Sequence, residues 1–323
     1  MHGNVRIHNT NKFHINHVLF FRLLLSMFLS LQSYTKTMLK HLGIIGAGTM
    51  GTGIAQLAAL SKIDVQLYDV NETILRRSLE RIKADLRKMV NLGKLLQEEF
   101  TATIERIRTR TSLPDLGQCD CIIESVIEDI RVKKDLFKHL DANTKSTAVL
   151  ASTTSSLSIT SISALTRNPE RVIGLHFFHP VNAAVLVEVV KGYKTNTETL
   201  DQAIEWAKLL GKDPIIVKDT PGFIAHRISL PMFSETLRLL GENVAYAEQI
   251  DNIVKKVGGF SEGPFETLDQ MGIDSALAET ESLYNQSYGE PRLRPHPILK
   301  QMVESGLLGI KTAKGFFNYE ETK

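Results

Sequence analysis

The stretch HLGIIGAGTMGTGIAQLAAL at 41–60, with VQLYD ending at Asp69, constrains this chain more than any other. A short apolar strand, Leu42 to Ile45, runs into Gly46-Ala47-Gly48-Thr49-Met50-Gly51. A helix-patterned stretch follows, then a second apolar strand, then an acid. That is G-x-G-x-x-G in its informative setting of strand, tight turn and helix. Gly46 permits the turn, Gly48 lets the backbone approach a pyrophosphate, and Gly51 lets the helix pack closely on the sheet. The helix start offers free N–H groups and partial positive charge to phosphates. Asp69, 18 residues past Gly51, is placed to accept from a ribose 2′-hydroxyl. A 2′-phosphate would be repelled there, and Arg76 and Arg77 lie two helical turns further on. The motif therefore predicts NAD rather than NADP. An ordinary βαβ unit with a glycine-rich turn would leave three glycines and a strand-end acid unexplained together.

Bulk properties narrow the class. A chain of 323 residues is long for one core, so two domains are expected. Net charge is +2, but residues 1–40 hold five basic residues and no acid appears before Asp64. The remainder is −3, from 33 basic against 36 acidic residues, which gives no reason to expect nucleic-acid binding. Only two cysteines occur, Cys119 and Cys121, and neither a disulfide nor a metal site fits them. A reducing compartment follows.

Residues 1–37 read as an extension outside the fold. HVLFFRLLLSMFLSL at 17–31 is apolar, but Arg22 interrupts it and it is short for a bilayer span. Three readings fit: a targeting segment, a signal-peptide core, or an upstream stretch that is never translated, with Met38 as the true start. The last makes the protein cytoplasmic and the first mitochondrial; no membrane role is expected for the body of the chain.

After Asp69, Leu75, Leu79, Ile82 and Leu86 recur at helical spacing between Asn71 and Val90. A break at 91–93 leads to a second helical stretch near Leu95, so a basic hairpin is inserted in the domain. Its Arg81, Lys83, Arg87, Lys88 and Lys94 fit either a solvated face or contacts to a phosphate-bearing substrate. Strand patterns at 121–127, 147–152, 171–178, 184–192 and 213–219 alternate with helical segments. That order predicts a Rossmann-type, doubly wound, mostly parallel sheet. At 219–222 the texture changes. Helical patterns at Ile224–Leu240, Ala247–Val257, Asp269–Tyr284 and His296–Ser305 predict an all-α C-terminal domain. The expected division is 38–220 for cofactor binding and 221–323 for substrate and dimerisation. Ile228, Met232, Leu237 and Leu240 supply more apolar surface than one small bundle need bury.

The ordered motifs GAGTMGTGIAQ, IIESVIEDIRVK, ASTTSSL, GLHFFHP, LVEVV, DTPGF, EGPFETLDQMG, PRLRPHP and GIKTAKGFF resemble those of the L-3-hydroxyacyl-CoA dehydrogenase family, close to its 3-hydroxybutyryl-CoA type. The resemblance implies NAD-dependent oxidation of L-3-hydroxyacyl-CoA to 3-oxoacyl-CoA, as in fatty-acid metabolism. Hydride leaves substrate carbon 3 while a base titrating near neutrality takes the hydroxyl proton, a task suited to histidine. The resemblance gives that task to His176, at the end of RVIGLH, with Glu188 on the next strand as its carboxylate partner. It makes Ser155 a substrate contact and sets the segment 46–51, Asp69, Glu128, Lys133 and Lys311 around the cofactor. Without the resemblance, Glu128 and Lys133 read as a surface pair at a helix start. The family's hairpin serine and lysine correspond here to Asp85 and Leu92, so Lys88 or Lys94 would stand in for coenzyme A contacts.

Three asparagines usual around the family's active site are replaced here by Thr153, His179 and His226; the resemblance counts His226, with Ser155, among the catalytic residues and His179 among the cofactor-binding ones. An imidazole donates and accepts as an amide does, from a different position, and adds a titratable charge. Losing a polar contact of this kind costs a catalyst on the order of a hundredfold. Neutral drift and an altered substrate both fit. Two other functions use the same architecture: a dehydrogenase of a small non-CoA hydroxy acid, of gulonate or carnitine type, and a non-catalytic NAD-binding structural protein. No metal is expected.

Overall fold

The computed structural model of this chain describes residues 39–320. The expectations for residues 1–37 lie outside the described residues. The opening motif folds as β1 (His41–Ile45), α1 (Thr49–Leu60) and β2 (Asp64–Tyr68), with β1 and β2 paired in parallel. The basic hairpin follows as α2 (Glu72–Asn91) and α3 (Gln97–Glu105). Leu75, Ile82 and Leu86 face inward, while Arg81, Arg87, Lys88 and Lys94 face solvent. Asn71 caps α2 by accepting from the Thr73 amide.

β3 (Ile107–Arg110) then returns to the sheet edge beside β2. The sequence IRTR carries no strand alternation worth the name, and only Ile107 is buried. β4 (Cys121–Glu124), α4 (Ile130–Asn143), β5 (Val149–Ser152), the short α5 (Ile159–Ile162) and β6 (Val172–Phe177) complete the parallel part. β7 (Leu186–Lys191) runs antiparallel to β6, and β8 (Asp213–Lys218), reached through α6 (Thr197–Leu209), is parallel to β7. The eight strands lie in the order β3-β2-β1-β4-β5-β6-β7-β8.

Both faces are covered. One core joins Ile54, Ala55 and Ala58 of α1, the inner face of the hairpin, and Ala203 and Trp206 of α6 to the sheet. The other joins Phe137 and Leu140 of α4 and Ile159 and Ile162 of α5. Burial on both sides explains why the central strands read as near-continuous apolar runs. Cys119, just before β4, packs into the second core and Cys121 into the first; both are free thiols.

After Lys218 the chain is helical: α7 (Ala225–Gly241), α8 (Ala247–Lys256), α9 (Pro264–Met271), α10 (Ile273–Gln286) and α11 (Pro297–Glu304). Leu230, Phe233, Leu237, Phe265, Leu268, Ile273 and Leu283 form its core. The expected single helix from Asp269 to Tyr284 is two helices, because Gly272 at φ +88° ends α9 and begins α10. The buried Asp269 carboxylate, near the end of α9, accepts from the amides of Phe316 and Phe317 and from the Tyr319 hydroxyl, which docks the C-terminal turn. Among the described residues, no helix is long and apolar enough to cross a membrane.

Candidate active site

The carboxyl ends of β1, β2, β4, β5 and β6 lie along one edge of the sheet, and the order reverses between β1 and β4. Such a switch point opens a crevice for a ligand. The glycine turn sits there. A Cβ on Gly46 (φ +99°) would come within 2.3 Å of the Ser125 carbonyl beyond β4. A Cβ on Gly51 would meet the Gly46 carbonyl at 1.9 Å. At Gly48 a Cβ would meet nothing within 4 Å, so the open space over the turn is on that side. No side chain caps α1 and no acid occupies its first turn. The start of α1 thus faces that space with uncapped N–H groups, the arrangement an anionic pyrophosphate needs. The Asp69 carboxylate accepts from the Ala47 amide at 2.9 Å and the Asn71 amide at 3.0 Å, which ties the end of β2 to the turn. These residues fit an NAD adenosine ribose and pyrophosphate.

His176 and Glu188 are direct partners across the antiparallel β6–β7 pair. Opposed residues of such a pair stand close on one face, and His176 Nδ1 lies 2.7 Å from Glu188 Oε2. The other carboxylate oxygen, Oε1, accepts from the amides of Ile224 (2.9 Å) and Ala225 (3.0 Å) at the start of α7. Burial works against the charge on Glu188. The hydrogen bonds from His176, Ile224 and Ala225 outweigh it and hold the carboxyl below its ordinary value. Phe178 and Phe223 wall the imidazole, at ring-centre distances of 4.7 and 5.9 Å.

Glu128, Lys133 and Ser155 come together at the ends of β4 and β5. Lys133, on α4, is 1% exposed; its ammonium lies 2.5 Å from Glu124 Oε1 and 3.2 Å from Glu128 Oε2. It is not one half of a surface pair. Glu124 also accepts from the Val126 amide and the Ser152 hydroxyl. Glu128 accepts from the Thr154 hydroxyl, the Ser155 amide and the Ser156 hydroxyl. This network holds the TTSSL segment against the site.

His226, on the first turn of α7, stacks on His176 with ring centres 5.4 Å apart and the planes at 28°. Its Nδ1 is 3.2 Å from the Ser155 carbonyl, and its Nε2 is 3.4 Å from Glu279 Oε2 on α10. The structure therefore joins His176, Glu188, Ser155 and His226, and adds Glu279, which the motifs did not single out. Its signal was an acid between Ala276 and Leu283 on the buried face of a helix. Burial pushes the Glu279 carboxyl up, opposed by His226 and His176 and reinforced by Glu128. Thr153 is half-buried and donates its amide to the Glu124 backbone carbonyl, while His179 is exposed just past β6. Lys311 pairs with Asp274 at the start of α10. Lys88 pairs with Asp85 in solvent, and Lys94 is exposed at the hairpin tip, so neither is drawn into the His176 group. Among the described residues, no cluster of His, Cys, Asp and Glu is arranged to hold a metal ion.

Residues 41–220 match the family described as 3-hydroxyacyl-CoA dehydrogenase, NAD binding domain, and residues 222–319 its C-terminal domain. The chain is 41% identical over 277 residues to a probable 3-hydroxybutyryl-CoA dehydrogenase of Deinococcus radiodurans, covering 86% of this chain and 99% of that protein. It is 38% identical over 295 residues to the human mitochondrial hydroxyacyl-coenzyme A dehydrogenase, covering 89% and 94%. The crystal structure of a (S)-3-hydroxybutyryl-CoA dehydrogenase from Ralstonia eutropha shares the fold with a TM-score of 0.84 at 36% identity, over 88% of this chain and 100% of that one. By motif, fold and likeness alike, this chain belongs to the 3-hydroxyacyl-CoA dehydrogenase family and carries its NAD-binding domain.

Proposed function

We propose that this protein oxidises L-3-hydroxyacyl-CoA to 3-oxoacyl-CoA, with short acyl chains such as 3-hydroxybutyryl as the first candidates. The observation that carries the reading is the His176–Glu188 pair. Glu188 engages Nδ1, which fixes the ring tautomer and leaves Nε2 to take the proton of the C3 hydroxyl. The carboxylate then stabilises the imidazolium. NAD, when bound, supplies the hydride acceptor. The Gly46–Gly51 turn and Asp69 bind its pyrophosphate and ribose, and Glu128, Lys133, His179 and Lys311 complete the cofactor side. Ser155 and His226 orient the substrate end of the site, with Lys88 and Lys94 available to coenzyme A phosphates.

The division of labour follows the change of texture near Thr220: cofactor binding before it, substrate binding and dimerisation after it. Exposed apolar residues on the first helices of the second part, Ile228 (69% exposed) and Ile253 (62%), support a homodimer through that part. Cys119 and Cys121 are buried thiols; burial pushes Cys119 up to about 11 and Cys121 well above its ordinary value. Such thiols are unreactive and support a reducing compartment, cytoplasmic or mitochondrial.

The test is NADH formation, followed by absorbance, from a panel of 3-hydroxyacyl-CoA esters beside gulonate and carnitine. Turnover with 3-hydroxybutyryl-CoA, lowered about a hundredfold or more by His176→Gln, is expected. Turnover with gulonate or carnitine alone, or NADH binding without any turnover, overturns the reading.

A further inference from the structure

Two titratable groups beside His176 do nothing in the scheme above that an amide could not do. His226 Nδ1 lies 3.2 Å from the Ser155 carbonyl. A carbonyl only accepts, so Nδ1 carries a hydrogen. His226 Nε2 then faces Glu279 Oε2 at 3.4 Å. That oxygen is buried and forms no hydrogen bond among the described residues. Two bare acceptors so placed repel, and the contact is favourable only with one proton between them. That proton makes either an imidazolium facing a carboxylate or a neutral ring facing a carboxylic acid. Burial, the larger influence, favours the acid, and the His226 and His176 rings oppose it.

We propose that His226 and Glu279 are a one-proton pair that acts as a positioning unit behind His176, coupling proton uptake by His176 to a proton shift within the pair. The inference rests on the dehydrogenase reading. When His176 takes the C3 hydroxyl proton, its ring becomes cationic against the stacked ring of His226. The shared proton moves from His226 Nε2 to Glu279 Oε2, so the ring beside His176 is neutral when His176 is charged. No proton enters or leaves the pair, and the hydride acceptor is unchanged. In acid, a second proton makes His226 cationic with no carboxylate to balance it, and His176 becomes a poorer base. The groups facing the pair are His176 from β6, Glu188 from β7, and Glu128 from the loop after β4. Lys133 of α4 neutralises part of the charge on Glu128.

The test compares pH profiles of kcat/KM for 3-hydroxybutyryl-CoA oxidation in wild type, Glu279→Gln and His226→Asn. The Gln amide can donate to Nε2 and keep the His226 tautomer, but it cannot share the proton. The expected wild-type acid limb falls with two protons. Both variants fall with one, and Glu279→Gln loses about tenfold at its optimum. Histidine side-chain 15N NMR supplies a readout independent of turnover. His226 Nδ1 is expected to stay protonated while Nε2 titrates in wild type, and Nε2 is expected to stay unprotonated across the neutral range in Glu279→Gln. Superimposable profiles, or identical His226 titration in both proteins, overturn the proposal. Absence of wild-type turnover overturns the dehydrogenase reading instead, and the NMR arm still decides the pair.

Discussion

Glu188 accepts at both ends of its carboxylate, from His176 on one side and from the Ile224 and Ala225 amides on the other. A Gln there satisfies one side and turns an N–H toward donors on the other. Glu188→Gln is expected to cost about 1–3 kcal/mol of stability at neutral pH, the penalty of an unmet buried donor. The sign with pH follows from the lowered folded-state value of Glu188. A group of this kind stabilises the fold above its ordinary value, and that stabilisation is lost as pH falls through the lowered one. The gap between the wild-type and Glu188→Gln melting temperatures should therefore hold from neutral pH down to the ordinary Glu value of about 4.3 and close as pH falls below it. A constant gap would show that Glu188 is not held ionised. The pairing of His176 with Glu188 was legible through the family resemblance, and the β6–β7 register places the two directly opposite. Glu279 was not, because its partner lies on a helix more than fifty residues earlier in the chain.

Among the elements, the strand–turn–helix at 41–60 was the most legible, and the structure gives its glycines separate reasons. Gly51 is excluded from carrying a side chain by the Gly46 carbonyl, whereas Gly48 is free of protein neighbours. Two substitutions separate folding from binding. Gly51→Ala should lose at least about 2 kcal/mol in denaturant unfolding, since backbone must move to admit the methyl. Gly48→Ala should stay within about 1 kcal/mol of wild type while NADH affinity, read by fluorescence titration, falls about tenfold or more. Equal effects of both on stability would remove the argument that the space over Gly48 is reserved for a ligand. The elements missed or misdrawn have physical causes. β3 is an edge strand with one buried residue, so it lacks the alternation that marks a half-buried strand. The break at Gly272 rests on a left-handed backbone at φ +88°, which the helical period of the flanking residues does not record.

Across the whole molecule, the helical part is tied to the sheet at the site itself. Glu188 reaches the first residues of α7, and the Ser155 carbonyl reaches His226, the next residue along. Phe223, held at φ +49° in the joint, places its ring against His176. The apolar surface of the second part sorts clearly once folded: Leu237 is core at 1% exposure, while Ile228 and Ile253 are left in solvent. The homodimer reading predicts a mass of two chains by light scattering, and a shift to monomer on the double substitution Ile228→Glu and Ile253→Glu, with the melting transition retained. A monomeric wild type would refute it.

By itself the sequence determined the cofactor turn and the alternation that makes a parallel sheet, because each is encoded within one or two neighbouring elements by spacing and residue type; the histidine and its carboxylate were named only through the family resemblance. Only the tertiary structure decided that a helix from the far end of the chain delivers an acid to a second imidazole, and that Lys133 lies buried between two carboxylates rather than in solvent. Those contacts depend on how layers pack against one another, and packing sets burial and charge environment through distances that no local pattern carries.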